Sequence, residues 1–192
     1  MDESGFNLHL RRSRGRSKKG TKAFIIQPSS KGPNITVIAA FSPVTGIVHY
    51  SHHTGSTCAE DYDRFISDML RESRFQVRSH FIIHDNASIH LKASLESLLE
   101  GQRLTHEMKF LPPYSPQLNP IETMWSIWKS AVKREQMSVR NTEARLTALI
   151  NHTATCISPD NAKTIYHHVN RHYVHCAASL PLDEKYNPYL IV

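Results

Sequence analysis

The pattern of apolar and polar residues predicts several short strands in the first 111 residues of the chain. Apolar, β-branched runs at 23–26, 35–39 and 46–50 are separated by turn-rich stretches, which indicates an antiparallel meander of three strands. The continuously apolar run at 81–83 is typical of a buried central strand. Residues 108–111 predict a last short strand in front of a proline-rich segment.

Apolar residues at helical spacing predict five helices around these strands. The first follows Thr57-Cys-Ala-Glu60, which has the form of a capping box, and the second stops at Gly101. The third begins at Asn119-Pro120, and two more begin near Asn141 and at Ser158. The buried stripes of the first and third helices are predicted to be Tyr62, Phe65, Ile66, Met69 and Leu70, and Ile121, Met124, Trp125, Trp128 and Val132.

The predicted order of elements is β-β-β-α-β-α-β-α with two further helices behind it, which indicates an α/β fold with a mixed sheet flanked by helices. No linker rich in glycine or serine interrupts the chain. We therefore expect a core over residues 1–135 and a C-terminal helical extension over 136–192 that packs on the same domain. Three widely spaced cysteines indicate reduced thiols in an intracellular protein, and no apolar run is long enough to predict a membrane span.

Two carboxylates, Asp85 and Glu122, lie at the end of a predicted strand and at the start of a predicted helix. Asp85 follows the strand Phe81-Ile-Ile-His84, and Glu122 lies in the first turn of the helix after the proline-rich segment, with 36 residues between them. Oxygen ligands on rigid elements suit hard divalent cations such as Mg²⁺. A carboxylate at a helix start is also favoured by the helix dipole without any metal. The two residues together favour the metal site.

Positive charge is concentrated near the N-terminus. The net charge is +6, yet without the seven cations between residues 11 and 22 the chain has 16 basic and 17 acidic residues. Such a cluster suits contact with DNA phosphates, although a solvated loop or a nuclear-import signal has the same composition. Further along, Lys129 and Lys133 share a helix face with Glu122 and are candidates for contact with the cleaved strand. The cations of the N-terminal cluster are Arg11, Arg12, Arg14, Arg16, Lys18, Lys19 and Lys22.

Histidines on the last predicted helix suggest a zinc site. His168, His172 and His175 lie at i, i+4 and i+7, with Cys176 beside them. The residue after His168 is Val169, so the metalloprotease motif with its glutamate base is absent. A histidine cluster on a helix surface without zinc is the better interpretation.

The segments His84-Asp-Asn-Ala87 and Leu111-Pro-Pro-Tyr-Ser-Pro-Gln-Leu-Asn-Pro-Ile-Glu122, followed by Trp125, resemble the catalytic core of mariner-type DDE transposases. The start Asp2-Glu-Ser-Gly-Phe6 is similar to the first catalytic block of that family. The resemblance covers Asp2 to about Lys133. It implies a ribonuclease H-like fold, which the predicted order of elements also fits.

The resemblance implies a metal-dependent reaction in which DNA strands are cut and transferred during cut-and-paste transposition. Asp2, Asp85 and Glu122 would hold two Mg²⁺ or Mn²⁺ ions, and Asn86 would support the site. The implied partners are transposon ends and target DNA, with a homodimer that pairs two ends. The implied location is the nucleus if the organism is eukaryotic, and otherwise the cell interior.

Only Met1 precedes Asp2, and the helix-turn-helix region of the family has no counterpart in this sequence. We therefore expect a catalytic domain shortened at its N-terminal edge. Two other functions stay open. One is an inactive, transposase-derived protein that binds DNA or a partner, and the other is a general ribonuclease H-like nuclease that acts on hybrids or single strands.

Overall fold

The computed structural model describes residues 1–11, 15–24, 29–87, 98–99, 104–135 and 142–178. Its strands are β1 (Asp2–Phe6), β2 (Ile35–Ser42), β3 (Gly46–Thr54), β4 (Phe81–His84) and β5 (Glu107–Phe110). Its longer helices are α1 (Ala59–Leu70), α2 (Pro120–Glu135), α3 (Glu143–Thr153) and α4 (Pro159–Ala177). Short 3₁₀ turns occupy Ser73–Gln76, Pro116–Leu118 and Ala154–Cys156.

The antiparallel meander is present, but its first strand is not the predicted one. β1 pairs with β2 from Asp2 opposite Ala39 to Phe6 opposite Ile35, and β2 pairs with β3. The run at 23–26 was predicted as a strand, yet Ala23 and Phe24 lie outside any strand, and the remaining two residues fall outside the described part. Phe24 is 88% exposed, whereas Phe6 is fully buried. Burial of Phe6 against the helices outweighs the strand propensity of the later run.

The other two strands form a parallel pair, β4 with β5. The Met1 nitrogen donates a hydrogen bond to the Ile83 carbonyl over 2.6 Å, so the start of the chain lies against β4. The prediction that β4 is buried throughout is wrong, because Phe81 is 67% exposed and Ile83 43% exposed. Only alternate residues of β4, Ile82 and His84, turn toward the interior.

Helix α1 covers one side of the sheet with the predicted stripe, whose five residues are all buried. They pack with Ile38, Ala40 and Ile82 from the strands in one of two core clusters. The helix begins one residue later than predicted, with Cys58 as its N-cap. The Asp61 carboxylate accepts a hydrogen bond from the Cys58 amide over 3.3 Å, which is the role that Glu60 was predicted to have.

Helix α2 builds the second core cluster. Its five predicted core residues are all buried, and they meet Phe6 and Val37 from the sheet. Asn119 caps the helix, since its side-chain oxygen accepts from the Ile121 amide over 3.4 Å. The apolar stripe and the cap were both predicted correctly from local sequence.

Helices α3 and α4 pack against α2. The Trp128 indole nitrogen donates to the Ile150 carbonyl over 3.2 Å and lies 3.1 Å from the Thr153 hydroxyl. α3 begins behind Thr142 and α4 behind Ser158, each of which accepts a hydrogen bond from a backbone amide in the first turn. The division of the chain at residue 135 stays a prediction.

The helix predicted to end at Gly101 falls almost entirely outside the described residues, which include only Leu98 and Leu99 of it. No helix in the described ranges has both the length and the apolar character that a membrane crossing requires.

Candidate functional site

The first candidate residue, Asp2, lies at the start of β1 under helix α2. It is only 8% exposed. The Trp125 indole nitrogen donates to Asp2 Oδ2 over 2.9 Å, and the Glu3 amide donates to Oδ1 over 2.8 Å. Both oxygens of this carboxylate therefore have a donor, and its orientation is set by the strand and the helix together.

The other two carboxylates face a shared open cleft of about 360 Å³. Asp85 reaches it from the end of β4 and Glu122 from the first turn of α2. Glu122 is exposed and Asp85 is half-buried. The rest of the lining of this cleft, called the acidic cleft below, is the proline-rich loop over residues 111–116 together with Asn86, Ala87 and Asn119.

Asp2 does not line the acidic cleft, but the charge of Glu122 acts on it. Burial, opposed by the Glu3 amide and reinforced by the negative charge of Glu122, raises the pKa of Asp2 from its ordinary value of 3.8 to about 6. Burial lowers the pKa of Lys129, whereas the negative charges of Glu122 and Asp2 favour its charged form. Lys129 therefore lies near both carboxylates. Its Nζ stands 5.5 Å from the centre of the Phe6 ring. The negative charges of Asp2 and Glu122 therefore act on each other, and the half-buried Lys129 lies beside them.

The proline-rich loop is held in place at its first residue. The Leu111 amide donates to the His84 carbonyl over 2.8 Å, and the Asn86 side-chain amide donates to the Leu111 carbonyl. Asn86 therefore ties the end of β4 to the loop and also lines the acidic cleft. Tyr114, at the tip of the loop, is fully exposed and has a φ of 56°. That φ is uncommon for a residue with a side chain, and such conformations cluster at functional sites.

A buried polar pair, Tyr62 and His84, lies below the site and was not predicted from the sequence. Nδ1 of His84 lies 2.5 Å from the Tyr62 hydroxyl, and both residues are fully buried. Burial, followed by the charges of Glu3, Asp85 and Asp2, raises the pKa of Tyr62. The pair joins α1 to β4, the strand directly in front of Asp85. The only signal in the sequence is the polar residue His84 at the end of an otherwise apolar strand.

Carboxylate oxygens are the donors that Mg²⁺ and Mn²⁺ prefer. Asp2, Asp85 and Glu122 supply such oxygens, and a cation among them would relieve the repulsion that Glu122 imposes on Asp2. Among the described residues, no three His, Cys, Asp or Glu side chains are already close enough to hold a metal ion. The donor set suits a divalent cation in its chemistry.

The basic cluster near the N-terminus is only partly described. Arg16, Lys18 and Lys19 are exposed, whereas Arg11 is buried. Arg12 and Arg14 lie outside the described residues. Along α2, Lys133 is half-buried, and its charge contributes to lowering the pKa of Lys129. Exposed cations are thus available for phosphate contact, but Arg11 is not one of them.

Two of the α4 histidines stand close to Glu122. His168 and His172 line a second cleft that also contains Glu122, and their ring centres are 5.6 Å apart. The structure therefore brings this part of α4 to the start of α2, which the sequence did not predict.

Comparisons with known proteins place the chain in a family. Residues 1–144 match the family model of the DDE superfamily endonucleases. No curated protein matches the sequence.

Solved structures of the Mos1 transposase share the fold. A pre-cleavage Mos1 transpososome has a TM-score of 0.69 at 18% identity, and the match covers 96% of this chain and 55% of that one. A Mos1 paired-end complex with the left transposon end has a TM-score of 0.69 at 18% identity, covering 93% of this chain and 53% of that one. A Mos1 paired-end complex with Mn has a TM-score of 0.66 at 17% identity, covering 93% and 54%.

The chain spans about half the length of these Mos1 chains. The shared fold is the ribonuclease H-like fold that the order of strands and helices predicts. The match over residues 1–144, three quarters of the chain, shows that the chain belongs to the DDE superfamily endonucleases.

Proposed function

We propose that this chain is the catalytic domain of a DNA transposase, which cuts DNA strands and joins them to new DNA with the help of divalent metal ions. The observation that carries the proposal is the placement of three carboxylates: Asp85 and Glu122 face one cleft, and the charge of Glu122 reaches Asp2. The structural neighbours are described as transposase complexes with transposon ends and with Mn, which supports the same chemistry.

In this proposal Asp2, Asp85 and Glu122 hold Mg²⁺ or Mn²⁺. Such ions, when bound, activate the attacking hydroxyl and stabilise the charge that develops on the leaving oxygen. The protein supplies the ligand positions from regular elements, because Asp2 lies in β1, Asp85 directly follows β4 and Glu122 lies in the first turn of α2. Trp125 keeps the Asp2 carboxylate oriented, and Asn86 keeps the loop over Asp85 in place.

Lys129 and the exposed cations of the N-terminal cluster would bind phosphates of the DNA. Lys129 is half-buried beside Glu122 and Asp2, so its charge lies where a phosphate would meet the metal ligands. Arg16, Lys18 and Lys19 are exposed and would bind DNA without regard to its sequence. The proposal also includes a homodimer that pairs two DNA ends and, in a eukaryotic cell, a location in the nucleus.

The test combines Mn²⁺ calorimetry with nicking of supercoiled plasmid by the parent, Asp85→Asn and Glu122→Gln. We expect both variants to lower Mn²⁺ affinity by at least about 100-fold, because loss of even an outer partner of a metal site costs about 10- to 100-fold. Nicking should be lost in both. Asp68→Asn is the matched control, since Asp68 is paired with Arg71 on the surface of α1 and has no part in the site.

Retained nicking in both variants would contradict the proposed mechanism. A parent that binds DNA but neither binds Mn²⁺ nor nicks would instead support the inactive, transposase-derived protein.

A further inference from the structure

Glu122 is shared by two clefts. The acidic cleft lies toward Asp85, and a second cleft of about 370 Å³ lies between the start of α2 and helix α4. We call the second one the histidine cleft. Its polar lining, apart from Glu122 and the capping residue Asn119, comes from Gln117, Thr123, Ser126, His168 and His172.

The walls of the histidine cleft are firmly placed. On α4, Ile165 and Val169 are buried, so this part of the helix is anchored in the core. The Tyr173 hydroxyl donates to the Leu118 carbonyl, which fastens α4 to the turn that precedes α2. The cleft is therefore built from two packed helices and a tied turn, and its polar groups do not depend on a mobile segment.

The chemistry of the histidine cleft differs from that of the acidic cleft. Among the described residues, Glu122 is the only carboxylate in its lining, and the other polar groups are amides, hydroxyls and imidazoles. Burial, followed by the charges of His168 and His175, lowers the pKa of His172, which favours the neutral form of this ring. A neutral imidazole offers one donor and one acceptor. These are the groups that bind the edge of a nucleobase or a sugar oxygen, not the groups that neutralise a phosphate.

A DNA strand whose scissile phosphate lies in the acidic cleft must continue past Glu122 on one side. Because Glu122 belongs to both clefts, the histidine cleft is the next space along that wall of the site. We propose that the histidine cleft binds the nucleotide adjacent to the scissile phosphate, with hydrogen bonds from His168 and His172. This inference rests on the proposed function, because it takes a DNA strand at the acidic cleft as given.

The experiment measures the affinity of the full chain for labelled single-stranded DNA of roughly 4 to 16 nucleotides, a typical range for such sites. The buffer contains Ca²⁺, which carboxylates also bind, and gel analysis confirms that the DNA stays intact. The variants are His168→Ala, His172→Ala and the double variant. His167→Ala is the matched control, because His167 is an exposed neighbour on α4 that does not line the cleft.

We expect each single variant to weaken binding about five-fold and the double variant about 25-fold, the effect of roughly one hydrogen bond per imidazole. His167→Ala should bind like the parent. His172→Gln should recover part of the loss, because an amide also offers a donor and an acceptor.

Two further readouts separate a nucleotide site from a general loss of charge or fold. The slope of log affinity against log salt should stay unchanged in His172→Ala, since a neutral group displaces no counterions from DNA. In the parent, removal of a single base from the DNA should weaken binding at one position most strongly, and the double variant should be insensitive to a missing base there.

The inference is overturned if the histidine variants bind like His167→Ala, if the salt slope of His172→Ala falls, or if the missing base has the same effect in parent and double variant. A change in Zn²⁺ affinity without a change in DNA affinity would overturn it in favour of a zinc site. These outcomes leave the proposed function intact when the parent binds Mn²⁺ and nicks DNA. A parent that does neither overturns the proposed function itself.

Discussion

The carboxylates of this site lie in two different environments. Asp2 is buried below α2, accepts hydrogen bonds from Trp125 and Glu3, and has a pKa raised to about 6. Asp85 and Glu122 face an open cleft. The buried carboxylate is well oriented but unfavourable to ionise, whereas the open ones are accessible. In the metal-free fold the ionised form of Asp2 is destabilised by burial and by the charge of Glu122, and a bound cation would remove part of this cost. We therefore expect changes on the buried side to alter stability, and changes on the open side to alter metal binding alone.

The largest effect on stability should come from Asp2→Asn. Below pH 3.8 the Asp2 carboxyl is protonated in both the folded and the unfolded chain, and its contribution to stability is fully present. That contribution is lost as the pH rises through about 6, because the folded chain must then ionise a buried group. The shift corresponds to up to about 3 kcal/mol at neutral pH, at about 1.36 kcal/mol per pKa unit. Asn has no charge to bury, so the variant should be the more stable protein above pH 6.

Urea unfolding of the metal-free parent and Asp2→Asn between pH 4 and pH 8 checks this prediction. The gain should be less than the full value, since the single side-chain oxygen of Asn can accept from Glu3 or from Trp125 but not from both. Saturating Mn²⁺ should stabilise the parent by mass action and leave the variant unchanged. Equal pH profiles for the two proteins would show that folding does not raise the pKa of Asp2.

Trp125→Phe should have the next largest effect. It removes the indole donor to Asp2 and keeps an aromatic ring against Phe6. A hydrogen bond to a charged group contributes about 1.5 to 3 kcal/mol, so we expect a loss of about 2 kcal/mol at pH 8. In the Asp2→Asn background the loss should be smaller. This double-mutant cycle measures the coupling directly, and additive losses would contradict a bond to a charged Asp2.

Tyr62→Phe tests the buried pair under Asp85. It removes the hydroxyl that meets Nδ1 of His84, and a buried polar group that loses a partner costs about 1 to 3 kcal/mol. We expect a loss of about 1 to 2 kcal/mol in urea unfolding. Tyr166→Phe is the control, because the Tyr166 ring is partly exposed on α4. Equal stability of the two variants would show that the hydrogen bond between Tyr62 and His84 does not stabilise this part of the fold.

The smallest effect on stability should come from Glu122→Gln. Glu122 is exposed, and surface substitutions usually change stability by less than about 0.5 kcal/mol. The same variant should lose Mn²⁺ binding in calorimetry. A large loss of stability would show that Glu122 is part of the structural framework, and the contrast between buried and open carboxylates would fail.

Much of the fold could be predicted from local sequence. The stripe of α2, the Asn119 cap and the starts of α3 and α4 depend on residues within a turn or two of each other, and the structure confirms them. The same holds for the stripe of α1, although its cap is shifted by one residue. Asp85 and Glu122 could be identified because each stands at the end of a clearly bounded element.

The predictions from the sequence were wrong where pairing or burial depends on residues that are distant along the chain. The run at 23–26 has strand-forming residues, yet β1 forms at 2–6, where Phe6 can pack against α2. The apolar run of β4 predicted full burial, but one face of the strand is exposed. Propensity describes what a segment can form, whereas pairing and burial depend on which surface another part of the chain covers.

The sequence by itself determined the mixed α/β order, the proline-rich loop and two carboxylates at the ends of elements. These are local properties, set by turn residues, caps and apolar periodicity. Only the tertiary structure decided that Trp125 would bind Asp2 across 123 residues, and that α4 would bring His168 and His172 beside Glu122. The physical reason is that desolvation and hydrogen bonding act between groups that folding brings together, and sequence spacing does not encode their distance.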